Sequence, residues 1–346
     1  MGEIKGFWAG AYATAFPLFW PILAERMGGW DRVDQATASE LLELDVPQGI
    51  VDEWFQAPPI RSVGLILPIS DPRYPEPLRD ILGPPPLLFV DGDPAVLNRR
   101  CVAIVGTRGC TGYGATMARR LGSGLAAGGI VIVSGLARGI DTQAHRGALQ
   151  SGQTVAVLGH GLAYTAPSSN RGLREDICHY GGAVVSSWKD DIPPRRHTFP
   201  RRNRWIAGLS EAVIVVEAPL RSGALHTAHD ALDMGRDTFA VPGAPHQLTS
   251  QGCNALLKTT PTGLLDDVDE FVTERTGMLP PAREEWLRSL FEGSSVVDVA
   301  RNRGVSTVEL LSELAVMEAY GQVVRMPGQR YAPGRGLLSL VSANSE

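Results

Sequence analysis

The stretch 192–206 reads IPPRRHTFPRRNRWI and gathers Arg195, Arg196, Arg201, Arg202 and Arg204 without an acid among them. The chain as a whole is acidic, with a formal charge of -5. A charge run taken alone usually marks a solvated face. This one stands just ahead of an apolar strand, Ala212-Val213-Ile214-Val215-Val216, and glycine-rich turns recur at other strand ends. VGTRGCTGYG places Gly106 and Arg108 after one strand, SGLARGIDTQAH places Ser134 and Gly135 after another, and RSGALHTAHDAL places Ser222 and Gly223 before a helix. Such turns present backbone N–H groups and a hydroxyl to an anion where a helix begins. Guanidinium groups beside them add paired donors for a phosphate. Three such turns in one sheet, together with the arginine run, favour a functional anion site over a solvated loop. Arg202-Asn203-Arg204 is expected to precede a helix leading into the strand at Ala212, at the same rim as Arg108. Several separated phosphate anchors in one groove suit a strand of nucleic acid better than a mononucleotide. Phe199 is placed to stack on a base, with Pro200 beside it fixing a turn.

Other chemistry is less supported. The turn at Gly106 is not a dinucleotide fingerprint, because Arg108 stands where a glycine must let the backbone approach the pyrophosphate. The next strand ends Val133-Ser134-Gly135, without the acid that would bind a ribose. His226 and His229 are three apart but lack an obvious third ligand, so no metal is expected. Asp141, His145 and Glu217 lie near strand ends, where capping and loop bonding account for them as well as acid–base chemistry does. No GxSxG elbow, GxxxxGK[ST] loop or HExxH helix occurs, so no catalytic residue and no cofactor are expected.

The elements that must hold these residues follow from patterning. Runs at 101–106, 129–135, 154–159, 183–187, 212–218 and 237–243 are almost continuously apolar and β-branched, and they alternate with helix-like stretches. Strands of that kind are buried on both faces of a parallel sheet, which predicts a doubly wound, Rossmann-like α/β fold with ligands beyond the C-terminal strand ends. Residues 1–60 read as a small all-helical module, 61–275 as the sheet domain, 282–334 as a winged helix and 335–346 as a flexible tail. Within the winged helix, Ser306 and Glu309 form a capping box opening a helix that carries Glu309, Glu313 and Glu318 and no basic residue. That helix is unsuited to reading duplex DNA, which calls for cations or amides at the bases.

The uncharged run Gly6–Ala24 tests a soluble, cytoplasmic reading, but Pro17 and Pro21 interrupt it and no cleavage site follows. It is expected to be a buried helical piece rather than a membrane anchor. The four cysteines form no CxxC pair, which suits a reducing compartment.

VAIVGTR, SGLARGID, FPRRNRWIAGLS, VIVVEA, SGALHTA and GRDTFAVPG, in this order, closely resemble the DNA-processing protein A (Smf) family across about residues 68–258. The resemblance implies an extended Rossmann fold that binds single-stranded DNA, forms homodimers and loads a RecA-type recombinase during natural transformation. It assigns roles to Arg108, to Phe199, Arg202, Asn203 and Arg204, and to Ser222-Gly223. The arginines would then form the floor of a groove for the DNA backbone. Tyr164-Thr165, Ser187-Trp188 and KTTPTG (258–263) depart from the family pattern, the last where family dimers tend to form. The alternative is a nucleotide-binding or nucleotide-hydrolysing enzyme of extended Rossmann type, although RSGALHTA lacks the turn such enzymes carry.

Overall fold

The computed structural model describes residues 2–4, 8, 12, 19–277, 281–319, 323–328 and 330–333. Two compact units divide the chain, Met1–Val268 and Asp269–Glu346.

A strand of consecutive valines and isoleucines has no polar face, so both of its faces must be covered. The first unit meets this demand with a nine-stranded sheet. Its strands are β3 (Leu65–Pro68), β4 (Leu87–Gly92), β5 (Cys101–Val105), β6 (Val131–Ser134), β7 (Thr154–Leu158), β8 (Ala183–Ser186), β9 (Ala212–Val215), β10 (Asp237–Ala240) and β11 (Gly263–Leu264), in the order β11-β10-β9-β5-β6-β7-β8-β4-β3. The seven strands from β11 to β8 run parallel, and β4 pairs antiparallel with both β8 and β3. The chain moves one way from β5 through β8 and then crosses to the other side of β5 to lay down β9. That reversal opens a crevice at the C-terminal ends of β5 and β9, where open α/β sheets bind ligands. The apolar runs predict β5 to β10 to within a few residues.

The helices preceding the sheet are α1 (Phe19–Met27), α2 (Trp30–Asp34), α3 (Ala38–Glu43) and α4 (Gln48–Gln56). They share the sheet's core through Leu23, Val33, Leu41, Val51 and Trp54. This region is not wholly helical, since β1 (Gly2–Ile4) pairs antiparallel with β2 (Ile60–Ser62). Of the uncharged run Gly6–Ala24, the described residues are buried Trp8, half-buried Tyr12 and the start of α1, and the rest lies outside them. Among the described residues no helix is long and apolar enough to cross a membrane.

Within and after the sheet come α5 (Glu76–Arg79), α6 (Gly112–Ala127), α7 (Ile140–Ala148), α8 (Arg171–His179), α9 (Thr198–Leu209), α10 (Gly223–Asp233) and α11 (Gln251–Thr259). α6 and α7 approach closely along a seam of small residues. A Cβ added at Gly122 would stand 2.5 Å from the Ala144 carbonyl oxygen, and one at Gly147 would overlap the Arg119 carbonyl. This close packing fixes the first turn of α7 against the sheet end where the crevice opens.

The second unit contains α12 (Val268–Thr276) from its second residue on, α13 (Pro281–Phe291), α14 (Val296–Arg303), α15 (Thr307–Ala319) and a hairpin of β12 (Val323–Met326) with β13 (Arg330–Pro333). Trp286, Leu290, Val299, Leu310, Leu314 and Tyr331 form its own core. The capping box on α15 is formed: Ser306 N–H donates to Glu309 Oε2 at 2.8 Å, and Glu309 N–H donates to Ser306 Oγ at 3.2 Å. Glu313 pairs with Arg303 at 2.7 Å, while Val308 and Leu311 are exposed on the same helix. The tail 335–346 lies outside the described residues.

Replacing a glycine by alanine inside a helix ordinarily stabilises it by about 1 kcal/mol. Gly122→Ala is expected to do the reverse here and to lower stability by roughly 1–3 kcal/mol through overpacking. Urea denaturation measures this, and a gain in stability would mean that α6 and α7 do not meet at Gly122.

Candidate functional site

The crevice at the switch point is a cavity of about 580 Å³, within the range of ligand pockets. Four chain segments line it. The turn after β5 supplies Gly106, Thr107 and Arg108, and the turn after β6 with the start of α7 supplies Ala137 and Asp141. Arg196 comes from the segment before α9, and Phe199, Pro200, Arg202, Asn203 and Ile206 from α9 itself. The turn after β9 and the start of α10 supply Pro219, Arg221, Ser222, Gly223, His226 and Thr227. A Cβ on Gly106 would meet both Ile140 and the Glu217 carbonyl oxygen, so only glycine permits this approach of the first turn.

Arg202-Asn203-Arg204 does not precede a helix as expected. It lies within α9, which opens at Thr198 and carries Pro200 in its first turn, where the ring's missing N–H is tolerated. The helical twist therefore splits the arginine run. Arg202 turns inward and is 4% exposed. Its Nη1 donates to the Val157 carbonyl at 2.8 Å, and its guanidinium packs over Gly135 next to the Asp141 carboxylate. Arg201 points to another side, exposed and 5.6 Å from the Trp188 ring. Arg204 donates to the Leu82 carbonyl at 2.8 Å and lies 3.8 Å from Asp230. Arg195 is exposed but outside the cavity lining. The groove floor is thus one buried arginine, with Arg108, Arg196 and Arg221 exposed around it.

Ser134 and Gly135 are not at the surface either. Ser134 Oγ donates to the Ile104 carbonyl at 2.6 Å, and the N–H groups of Gly135 and Ala137 donate to Asp141 Oδ2 at 3.1 and 3.3 Å. The carboxylate of Asp141 therefore occupies the anion position that this turn offers. Burial raises the Asp141 carboxyl above its ordinary value, with the Arg202 charge and the two N–H bonds opposing that rise. Burial likewise draws Arg202 down to about 10, which leaves it charged at neutral pH.

Phe199 is already a platform. Arg108 stands 5.3 Å and Arg202 5.7 Å from its ring centroid, within cation–π range. Asn203 Nδ2 donates to the Gly223 carbonyl at 3.1 Å and ties α9 to the start of α10. There Ser222 caps the helix by accepting the Ala224 N–H at 3.3 Å.

Beneath these groups lies a fixed polar layer. Glu217 accepts from Thr111 N–H at 2.8 Å and from Thr111 Oγ1 at 2.7 Å, which fastens the turn after β5 to the end of β9. His145 is fully buried; its Nε2 accepts from Leu136 N–H at 3.3 Å, and its Nδ1 lies 2.7 Å from Thr154 Oγ1. Thr154 Oγ1 donates onward to the Ile132 carbonyl, so Nδ1 carries the ring's single proton. This contact supports Leu136, which holds a positive φ of 57° rare for a branched side chain. His226 faces the cavity, and among the described residues no group of three or more His, Cys, Asp or Glu could hold a metal.

The residues brought together are Gly106, Arg108, Arg196, Phe199, Arg202, Asn203, Ser222 and Gly223. Sequence reasoning missed Arg221, which was legible as the neighbour of Ser222-Gly223, while the loop bonding weighed for Asp141 is what that residue does.

A doubly wound sheet with a crevice at its switch point defines a Rossmann-like protein. The chain belongs to the DNA recombination-mediator protein A family, whose model matches residues 65–276. This is a family of recombination mediators rather than enzymes. Protein Smf of Escherichia coli (strain K12) is 37% identical over 285 residues, covering 76% of each chain. The crystal structure of DNA processing protein A from Streptococcus pneumoniae superposes with a TM-score of 0.63 at 33% identity, covering 78% of this chain and 99% of that one. DNA processing protein A from Helicobacter pylori, solved for its single-stranded DNA binding mode, gives a TM-score of 0.55 at 30% identity over 58% of this chain and 91% of that one.

Two outcomes test this geometry. Arg202→Ala empties a buried site, frees the Val157 carbonyl and removes the largest charge opposing the burial of Asp141, and is expected to cost about 3 kcal/mol of stability, whereas exposed Arg108→Ala should change it by no more than about 0.5 kcal/mol. Equal effects in chemical denaturation would contradict the division between floor and rim. For His145, burial lowers the folded value from 6.5 to about 3. The unfolded chain then binds the extra proton between those values, so the stabilisation is complete above 6.5 and is lost as pH falls toward 3. Linkage gives a loss of about 2 kcal/mol by pH 5. That increment should be absent in His145→Gln, and its persistence would show that other groups cause it.

Proposed function

We propose that this cleft holds single-stranded DNA by its phosphates, and that the protein acts as a homodimer that shields the strand and delivers it to a RecA-type recombinase. The observation that carries the DNA reading is the convergence of Arg108, Arg196 and Arg221, from three separate segments, around a pocket floored by buried Arg202. Separated cations along a groove suit a flexible single strand, which can bend its phosphates inward. A cavity of about 580 Å³ admits a nucleotide but not the breadth of a duplex. The single-stranded DNA binding described for the Helicobacter pylori relative supports the same ligand. The dimer and the recombinase contact rest on family membership. The acidic α15, with Val308 73% exposed beside Glu309, favours a protein contact over duplex reading.

Fluorescence anisotropy with a labelled oligonucleotide across a salt series tests the proposal. Binding should tighten as salt falls, and Arg108→Ala and Arg196→Ala should each lower the magnitude of the log–log slope by roughly 0.7. A duplex of the same sequence should bind more weakly. Unchanged slopes in both variants would remove the DNA from this cleft.

A further inference from the structure

The lining of the cleft is unbalanced in a way that an internal phosphate does not satisfy. Arg108, Arg196, Arg202 and Arg221 face it against the one carboxylate of Asp141. Arg202 is buried, and its Nε has no hydrogen-bond partner among the described residues. That atom is sealed from the cleft, so Arg202 acts on a ligand through its charge from below, while the exposed arginines supply donors at the rim. The first turn of α10 opens into the same space, with Ser222 as its cap. An internal phosphodiester offers two free oxygens and a single charge, and both of its ester arms must leave the pocket. A terminal phosphate monoester offers three free oxygens and a charge of about -1.5 to -2, and only one arm leaves.

We propose that the cleft is an end-binding site, taking the terminal phosphate monoester of a nucleotide with its oxygens shared among the rim arginines and the start of α10, above the buried charge of Arg202. This rests on the phosphate-binding reading above and names the form of phosphate preferred. Two sources carry that chemistry, the phosphorylated end of a DNA strand and a free nucleoside monophosphate.

The test uses the full chain and a short oligothymidylate labelled at its 3′ end, carrying either a 5′-phosphate or a 5′-hydroxyl. The phosphorylated strand should bind roughly tenfold more tightly, as one or two added charge-assisted hydrogen bonds imply. Thymidine 5′-monophosphate should compete for the site and thymidine should not. Arg221→Ala, an exposed change, should weaken both strands but the phosphorylated one by the larger factor, so that the preference shrinks. Equal affinity for the two ends, with no competition by the monophosphate, overturns the proposal and leaves groove binding intact. If neither strand binds but the monophosphate does, the strand reading fails and the monoester site stands with the free nucleotide as its ligand.

Discussion

The burial of two opposite charges, Arg202 and Asp141, near each other beneath the cleft is the constraint around which the site is arranged. Asp141 takes the N–H groups at the turn after β6, Arg202 takes the Val157 carbonyl at the end of β7, and Gly135 leaves room for both groups. Neither charge would be tolerated alone at that depth. Together they fix one positive group at the base of the cleft, and α9 cannot rotate without breaking the bond from Arg202 to the Val157 carbonyl. Phe199 and Asn203, on the same side of α9, take their places from it.

The fold supplies the remaining order. The switch point separates the turns after β5 and β9, and Glu217 binds them back together through Thr111. Small residues between α6 and α7 let the start of α7, and with it Asp141, sit close to the strand ends. The exposed arginines need no such support, because a solvated guanidinium reaches a phosphate from many positions. Rigid floor and adaptable rim are a suitable combination for a ligand that is uniform in charge and variable in sequence.

The sheet was legible because its signal is local: β-branched runs such as CVAIV and AVIVV can hardly be anything but buried strands. β1 and β11 were not legible, being a GEI and a GL whose pairing is decided by distant partners. The arginine run was visible as charge but misjudged as a uniform floor. Successive residues on a helix turn by about 100°, so Arg202 had to part from Arg201 and Arg204 once α9 was recognised as beginning before Pro200. Ser134 and Gly135 looked like a phosphate turn for a sound local reason. What cancelled it, a carboxylate six positions on folding back to the same N–H groups, is a tertiary fact.

The central claim is that charge on the strand's backbone, met by arginines in this cleft, provides the binding. The most direct measurement compares a native oligonucleotide with one whose phosphates are replaced by neutral methylphosphonates, in the same sequence and at low salt. The neutral strand should lose most of its affinity and all of its salt dependence. A neutral strand that binds as tightly as the native one would mean that the bases, not the phosphates, are what the protein holds.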